Sequence, residues 1–508
     1  MSLADLTHAD WRTRAAKLAF ETRHFIDGEF ADSAKGGRFK VVNPATAQVL
    51  CEVSAGDATD IDRAVASARR CFYSRRWSRM APRDRMAVLT RMAALIEQNA
   101  EGFALLDTLC MGKPVRDMLN IDVPSAVQNF AYFGEALDKI DGAVTATAAD
   151  AFHYILREPL GVVGCIVPWN YPLLLLAWKL APALAAGNTT VCKPSELTPL
   201  STLALAPLFA DFPSGVVNLL AGAGDVGAAI VEDERVDCVA FTGSVATGRR
   251  IATRCAERIA RVNLELGGKD AFIVCEDVAA DIATAAKGGA WAAFLNAGQV
   301  CTSAERFYVH RSVYDEFVSE FVAYTESLRL GDPLAATTDI GPMVSAPQRD
   351  KVVAQVEAAV AGGAEVVTGG GRGGQATGHF FAPAVVTGAP ASTDLLREET
   401  FGPVAPIVPV ASLDEAVELA NGLRFGLGVN VYTRDLGTTV RLLRDLKAGT
   451  VWFNDPLTDN DAGPFGGFKQ SGLGRELGRE GLEAFQETKH VHIESEIAPK
   501  EWWYPYGD

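Results

Sequence analysis

An α/β fold in more than one domain is the class this sequence predicts, and three observations carry it. The chain has 508 residues, more than a single hydrophobic core usually organises. Its hydrophobic share is 48% against 22% charged residues, the balance of a globular chain rather than a disordered or fibrous one. From Leu160 onward, short apolar runs alternate with helical segments, the pattern of parallel strands joined by crossover helices.

The first 135 or so residues read as helical, with "DIDRAVASARRCF" and "RMAVLTRMAALIEQNAEGFALLDTL" as the clearest stretches. After Leu160 come the strand candidates "GVVGCIVP", "TTVCKP", "GVVNLLAG" and "CVAFTG". Between them lie the helical segments "LLLLAWKLAPALAAG" and "LSTLALAPLFADF". The strands are apolar throughout rather than alternating, which suits a sheet covered on both faces. A second series begins at "DAFIVCE" and continues through "RFYVH", "AEVVTGG" and "TVWFN". The boundary between the two series is expected at "LELGGKD", Leu264 to Asp270. "GGGRGGQATGH" reads as a surface connection. No repeat of solenoid period is present.

The net charge of −16 argues against a nucleic-acid partner, because phosphate binding wants clustered lysine and arginine. The N-terminus lacks the basic region and apolar block of a signal peptide. "YPLLLLAWKLAPALAAG" is interrupted by Lys179 and Pro182 and is short for a membrane span, so a buried helix is expected and no membrane association. The nine cysteines form no CxxC pair and are odd in number, so neither a metal site nor a disulfide framework is indicated. A reducing cytoplasm fits best.

Two glycine loops compete for a dinucleotide. "GAGDVG" (Gly222 to Gly227) matches GxGxxG after an apolar strand, yet the window about 20 residues on holds no acid to bind a ribose. "FTGSVATG" (Phe241 to Gly248) ends a strand and opens a helical stretch, where backbone amides favour a pyrophosphate; an ordinary strand-to-helix turn fits the same residues. "CKPSE", Cys192 to Glu196, sets a lysine and an acid at a strand end. They suit ribose hydroxyls, and equally a solvated surface pair.

The segment "FLNAGQVCTSAERF" sets Cys301 among small and polar residues, unlike the apolar surroundings of a structural cysteine. A thiol of ordinary pKa, about 8.5, is only slightly ionised at neutral pH, so a nucleophilic role needs help from a dipole, cation or base. None of the seven histidines sits among other catalytic signals. Glu265, in the apolar, glycine-flanked "LELGGKD", is a candidate base whose pKa burial would raise. A partner to a nearby lysine, or a capping acid, is the plain alternative.

In this order, "PWNYP", "KPSE", "FTGSVATG", "LELGGK", "GQVCTSAER", "EETFGPV" and "PFGGFKQSGLGREL" resemble the NAD(P)-dependent, non-acylating aldehyde dehydrogenase superfamily, from about Phe25 to His492. The resemblance implies Cys301 as nucleophile, with the Asn170 amide and the Cys301 backbone N–H holding the oxyanion. It implies Glu265 as the base that activates the hydrolytic water, and Glu476 and Lys179 as proton relays. For the cofactor it implies Lys193, Ser195 and Glu196 at the adenine ribose, Gly243 and Ser244 at the pyrophosphate, Glu399 and Phe401 at the nicotinamide ribose, and Trp169 in the same channel. Glu196 would repel a 2′-phosphate, so NAD is expected over NADP. The implied architecture is a Rossmann-like cofactor domain (1–138 and 159–267), an α/β catalytic domain (268–478) and a small β oligomerisation arm (139–158 and 479–497). An aromatic tail (498–508) follows, and the assembly would be a homodimer or homotetramer.

The same resemblance implies an aldehyde tunnel lined by Tyr171, Leu175, Trp178, Leu295, Val300, Thr302 and Phe465. Trp178 stands where succinate-semialdehyde relatives carry arginine, which disfavours a small anionic aldehyde. The "WNYP" and Trp178 pattern, and the N-terminal stretch, look like betaine-aldehyde, aminoaldehyde and polyamine-pathway relatives. Against this, Cys110 replaces an acid common in that branch, and "NDPLTDNDAGPF" has no tryptophan to complete a cation cage. Asp455, Asp459 and Asp461 of that loop would attract an amine, or simply solvate it. A medium-sized neutral, aromatic or amino aldehyde is therefore expected. A CoA-acylating relative would not need Glu265, and a silent NAD-binding relative would not need Cys301, Glu265 and Asn170 together.

Overall fold

The computed structural model describes residues 6–147 and 151–506; the outermost residues of the expected N-terminal and tail segments, and 148–150 within the expected arm, lie outside the described residues. After a short helix at His8–Ala15 the chain forms two hairpins, β1 (His24–Ile26) with β2 (Glu29–Ala31), and β3 (Arg38–Asn43) with β4 (Gln48–Ser54). The helical reading of this region missed all four, while its two clearest stretches fall in helices at Ala58–Ser74, Pro82–Gln98 and Ala100–Met111. Helix α1 (Val123–Ala136) follows, entered through a π-helical turn at Met118–Asp122. Next come β5 (Ala143–Val144) and β6 (Ala151–Pro159).

The first wound sheet holds β7 (Val162–Ile166), β8 (Thr189–Lys193), β9 (Val217–Leu219), β10 (Cys238–Gly243) and β11 (Arg261–Leu266), all parallel. β7 and β8 are buried at every position, as their unbroken apolar runs require. From β7 the chain winds outward through β8 and β9, then returns to the other side of β7 with β10 and β11. That reversal opens a crevice at the carboxyl ends of β7 and β10, where open α/β sheets bind ligands. Its helices include α2 (Pro172–Ala186), α3 (Gly224–Glu232) and α4 (Val245–Glu257). All of α2 is buried, Lys179 included, and Gly187 at φ 98° ends it in the left-handed region.

The second sheet is entered only four residues after the end of β11, at β12 (Asp270–Val274). After helix α5 (Ile282–Phe294) come β13 (Ala304–His310), β14 (Glu365–Thr368), β15 (Ala384–Thr387), β16 (Val404–Val410), β17 (Gly428–Tyr432) and β18 (Thr450–Phe453). Their order is β14-β15-β16-β13-β12-β17-β18. "AEVVTGG" does form a strand, but an antiparallel one at the sheet edge. The two-residue β19 (Gly472–Leu473) pairs antiparallel with β11 and so ties the late chain back to the first sheet. The final strand, β20 (Gln486–Glu494), pairs antiparallel with β6 along nine residues. The sheet β20-β6-β5 stands apart and leaves Phe152, Leu156, Val144 and Ile493 exposed. No helix among the described residues is long and apolar enough to cross a membrane.

Candidate active site

Cys301 follows a loop in unusual backbone geometry. Asn296 and Ala297 each have φ 55° and Gly298 has φ 68°, three successive left-handed residues of the kind that surroundings must enforce. The enforcement is visible. The Asn296 side chain donates to the Asn170 carbonyl (3.0 Å), Asn170 Nδ2 donates to the Gln299 carbonyl (3.0 Å), and Gln299 Oε1 accepts from the Val344 amide (2.9 Å). At Gly298 an added Cβ would lie 2.3 Å from the Gly402 carbonyl carbon. The loop therefore seats Asn170, at the start of α2, beside the cysteine.

Cys301 is half-buried and forms part of two cavities. One, of about 160 Å³, is lined by Tyr171, Leu175, Trp178, Leu295, Val300, Thr302, Asp459 and Phe465. All of the expected tunnel residues thus come together. The Trp178 and Phe465 rings meet edge-on at 5.0 Å, and Lys113 Nζ lies 4.0 Å from the centre of the Tyr171 ring. The other cavity, of about 190 Å³, is lined by Trp169, Asn170, Gly243, Ser244, Glu399 and Phe401. Burial pushes the Cys301 thiol well up from its usual range, and Asp270, Asp459, Glu265 and Glu399 add to the rise. The resting side chain is a neutral thiol.

Glu265 sits on β11 opposite Thr242 of β10. Its carboxylate is buried and makes no hydrogen bond among the described residues. Burial raises its pKa well above the usual carboxylate range; Glu476 raises it further, while Lys179 and Arg475 pull the other way. Lys179 is wholly buried, 2.5 Å from Glu476 and 2.5 Å from the Thr242 hydroxyl. Four of the five expected catalytic side chains are thus in direct or electrostatic contact around Glu265 and Cys301, and the fifth, Asn170, lines the cysteine's cavity.

The crevice at the carboxyl ends of β7, β8 and β10 is a third cavity, of about 600 Å³. Trp169, Lys193, Ser195, Glu196, Gly243 and Ser244 line it, and it shares Trp169, Gly243 and Ser244 with the cavity beside Cys301. Ser244 caps α4, its hydroxyl accepting from the Thr247 amide at 3.3 Å. Lys193 lies 3.5 Å from Glu196, and burial lowers its pKa. Glu399 accepts from the Gly268 amide at 3.1 Å, and its carboxyl is pushed up to about 7 by burial and by Glu305. Phe401 meets Trp169 edge-on at 5.3 Å. A helix start for an anion, an acid and a lysine for hydroxyls, and aromatic walls together fit a dinucleotide.

Sequence reasoning missed several lining residues. Gly224 and Gly227 of the disfavoured "GAGDVG" loop line the same crevice as "FTGSVATG", so the two loops are neighbours rather than rivals. Gln348 and Lys351 line the cavity beside Glu399, but both lie on a polar helix face that carries no local signal. Asp461 lines the tunnel with Asp459, whereas Asp455 does not.

Comparison with known proteins gives a consistent picture. Residues 30–491 match the model of the aldehyde dehydrogenase family. The chain is 39% identical over 492 residues to the NADP/NAD-dependent aldehyde dehydrogenase PuuC of Escherichia coli strain K12, covering 96% of this chain and 99% of that one. Among solved structures, a P. syringae indole-3-acetaldehyde dehydrogenase in complex with NAD+ and IAA superimposes at a TM-score of 0.94, with 40% identity over 96% of this chain and 100% of that one. A γ-glutamyl-γ-aminobutyraldehyde dehydrogenase from Burkholderia cenocepacia J2315 gives the same TM-score, 0.94, at 40% identity, covering 97% and 100% of the two chains.

Proposed function

The chain belongs to the aldehyde dehydrogenase family, and from that premise we propose that it oxidises an aldehyde to a carboxylic acid with NAD, through an acyl intermediate on Cys301. One observation supports this above the others: Cys301 belongs both to the aromatic tunnel and to the cavity that continues into the crevice at the strand ends. A sulfur so situated reaches a carbonyl from one side and leaves the other side open to a hydride acceptor.

The Cys301 thiol gives up its proton to solvent, Sγ bonds to the carbonyl carbon, and the carbonyl electron pair moves onto oxygen. The second N–H of the Asn170 amide and the Cys301 backbone N–H donate to that oxyanion, donors fixed in advance by the loop's hydrogen bonds. The dinucleotide, when bound, supplies the hydride acceptor. Departure of hydride leaves a thioester on Cys301. Glu265 then takes a proton from water attacking that thioester; the acid departs, and the expelled Cys301 thiolate regains a proton from solvent. A carboxylate in an apolar enclosure, free of hydrogen bonds to protein, is a strong base for its kind. The Lys179–Glu476 pair next to it carries the proton away. This same Glu265 favours hydrolysis over acyl transfer to CoA.

Lys193, Ser195 and Glu196 would hold the adenine ribose, Gly243 and Ser244 the pyrophosphate, and Glu399 and Phe401 the second ribose. Glu196 opposes a 2′-phosphate, while Arg250 and Arg254 line the same cavity. NAD is therefore preferred over NADP as a matter of ratio. The tunnel suits a medium-sized neutral, aromatic or amino aldehyde. The exposed apolar residues of the β20-β6-β5 sheet support self-association into a homodimer or homotetramer, and nine free thiols support a cytoplasmic location.

The test is NADH or NADPH formation over a panel of neutral, aromatic, amino and trimethylammonio aldehydes, with wild type and Cys301→Ala. Turnover with NAD that disappears in the variant is expected. Turnover surviving in the variant removes Cys301 as the nucleophile.

A further inference from the structure

A buried ion pair apart from the reacting groups grips the loop that carries Glu399 and Phe401. In the pairing of β12 with β13, Asp270 lies opposite Ala304 and Ala271 opposite Arg306, so Glu305 is an extra residue with no counterpart. A bulge of this kind re-aims a side chain. Glu305 Oε1 accepts from the Phe401 amide (2.7 Å), and Oε2 accepts from the Thr400 amide (2.7 Å) and from Lys269 Nζ (2.7 Å). Lys269 also donates to the Thr400 hydroxyl at 2.9 Å. The Lys269 and Glu305 side chains are 0% and 3% exposed, so their charges depend on these contacts rather than on water. Phe401 shows why such a grip is needed. Its φ of 55° is left-handed, unfavourable for a bulky side chain and kept only where surroundings enforce it. The neighbouring acid is held from the same side. Gly268, next to Lys269, donates its amide to Glu399 Oε1 at 3.1 Å, and a Cβ at Gly267 would collide with that same oxygen. Residues 267–269 are the junction between β11 and β12, so the 399–401 loop is fixed to the point where the chain changes sheet.

We propose that Glu305 and Lys269 are positioning residues for the dinucleotide: through the 399–401 loop they fix Glu399 and Phe401 for its nicotinamide ribose, while its adenine half is held without them. This rests on the dinucleotide reading of the crevice given above. Glu399 and Phe401 line the cavity that contains Cys301, and Phe401 meets Trp169 edge-on at 5.3 Å. Neither Glu305 nor Lys269 lines that cavity or the crevice, so the pair acts through the loop and not by touching the ligand. Lys193, Ser195 and Glu196 line the crevice at the strand ends of the first sheet. None of the pair's hydrogen bonds among the described residues reaches them. The two halves of the ligand are therefore gripped by separate parts of the chain. A loosened loop weakens one half and spares the other, whereas general damage to the fold weakens both.

Calorimetric titration of the full-length protein with NAD and with ADP, which has only the adenosine and pyrophosphate portion, separates these cases without turnover. Glu305→Gln keeps the shape of the side chain, but its NH2 group must face at least one of the N–H donors that the carboxylate accepts from. The ratio of dissociation constants, NAD over ADP, is expected to rise about tenfold in this variant, with the ADP constant nearly unchanged. Thr400→Val removes the hydroxyl contact and keeps the ion pair; it moves the ratio the same way by less, and decides the matter if Glu305→Gln does not fold. Where Glu399→Ala and Phe401→Ala are already present, adding Glu305→Gln should leave the ratio where it is. Equal weakening of NAD and ADP would make the pair a structural tie only. An unchanged ratio, or a full effect without Glu399 and Phe401, would place its action elsewhere. Any of these three results overturns the inference. If the ratio responds as expected while no aldehyde reduces NAD in the wild type, this inference stands and the aldehyde reading falls. If the wild type binds neither NAD nor ADP, the dinucleotide reading falls and this inference with it.

Discussion

Glu265 shows how much a single residue's surroundings decide. Its identity in "LELGGKD" was legible as a candidate base, but a capping acid or lysine partner fitted the sequence as well. Only the fold leaves it without a hydrogen-bond partner among the described residues, with both oxygens buried. Since its pKa is raised from the usual 4.5, the carboxyl is protonated and inert as a base at low pH. In the mechanism proposed above, the hydrolytic step therefore gains rate as pH climbs through the raised value. Glu265→Gln is expected to remove that limb and to slow steady-state turnover by about a hundredfold to ten-thousandfold. Acylation should survive, so a stopped-flow trace should show a burst of NADH near one per active site. Absence of a burst would mean that Glu265 acts before the thioester. The neighbouring Lys179–Glu476 pair has a different signature. Lys179→Met strands a buried carboxylate, a loss of about 3–5 kcal/mol in stability, read as a lowered urea midpoint.

At the level of elements, legibility followed length and apolarity. β7, β8, β10 and β12 were readable because their buried runs are continuous, and α2 because its apolar stretch is long. The hairpin β1–β2 was not, since two three-residue strands, one of them mostly unburied, offer too few positions for a period to emerge. β14, which pairs antiparallel at the sheet edge, was found but misassigned in direction, because pairing partners are set by tertiary contacts. The Cys301 loop was read correctly as unusual, yet its three left-handed residues have no marker in sequence beyond Gly298. That glycine is the point at which the loop is most vulnerable. Gly298→Ala would require an unfavourable φ of 68° and a 2.3 Å approach to the Gly402 carbonyl carbon. We expect kcat/KM to fall by about a hundredfold through misplacement of the thiol, with the circular dichroism spectrum kept. Activity close to wild type would show that the loop geometry is not needed for attack.

Over the whole molecule, the two wound sheets and the separate β20-β6-β5 sheet answer different requirements. The separate β20-β6-β5 sheet carries Phe152 and Ile493 exposed on paired positions of adjacent strands, which a lone chain would leave in water. For the self-association proposed above, Ile493→Glu combined with Phe152→Glu is expected to lower the mass towards monomer in size-exclusion chromatography with light scattering; an unchanged mass would remove that face as the contact. The change of sheet between Leu266 and Asp270 has a consequence of its own. Glu265 comes from the last parallel strand of one sheet and Cys301 from the approach to the second strand of the other, so neither body alone holds a working site. The cysteine is, in effect, a party wall between two rooms with separate doors. An inert molecule wedged in the aromatic room leaves the nucleotide's door open, so the enzyme can fill with cofactor while its substrate is shut out. Such an inhibitor should leave the dissociation constant of NAD nearly unchanged however tightly it binds.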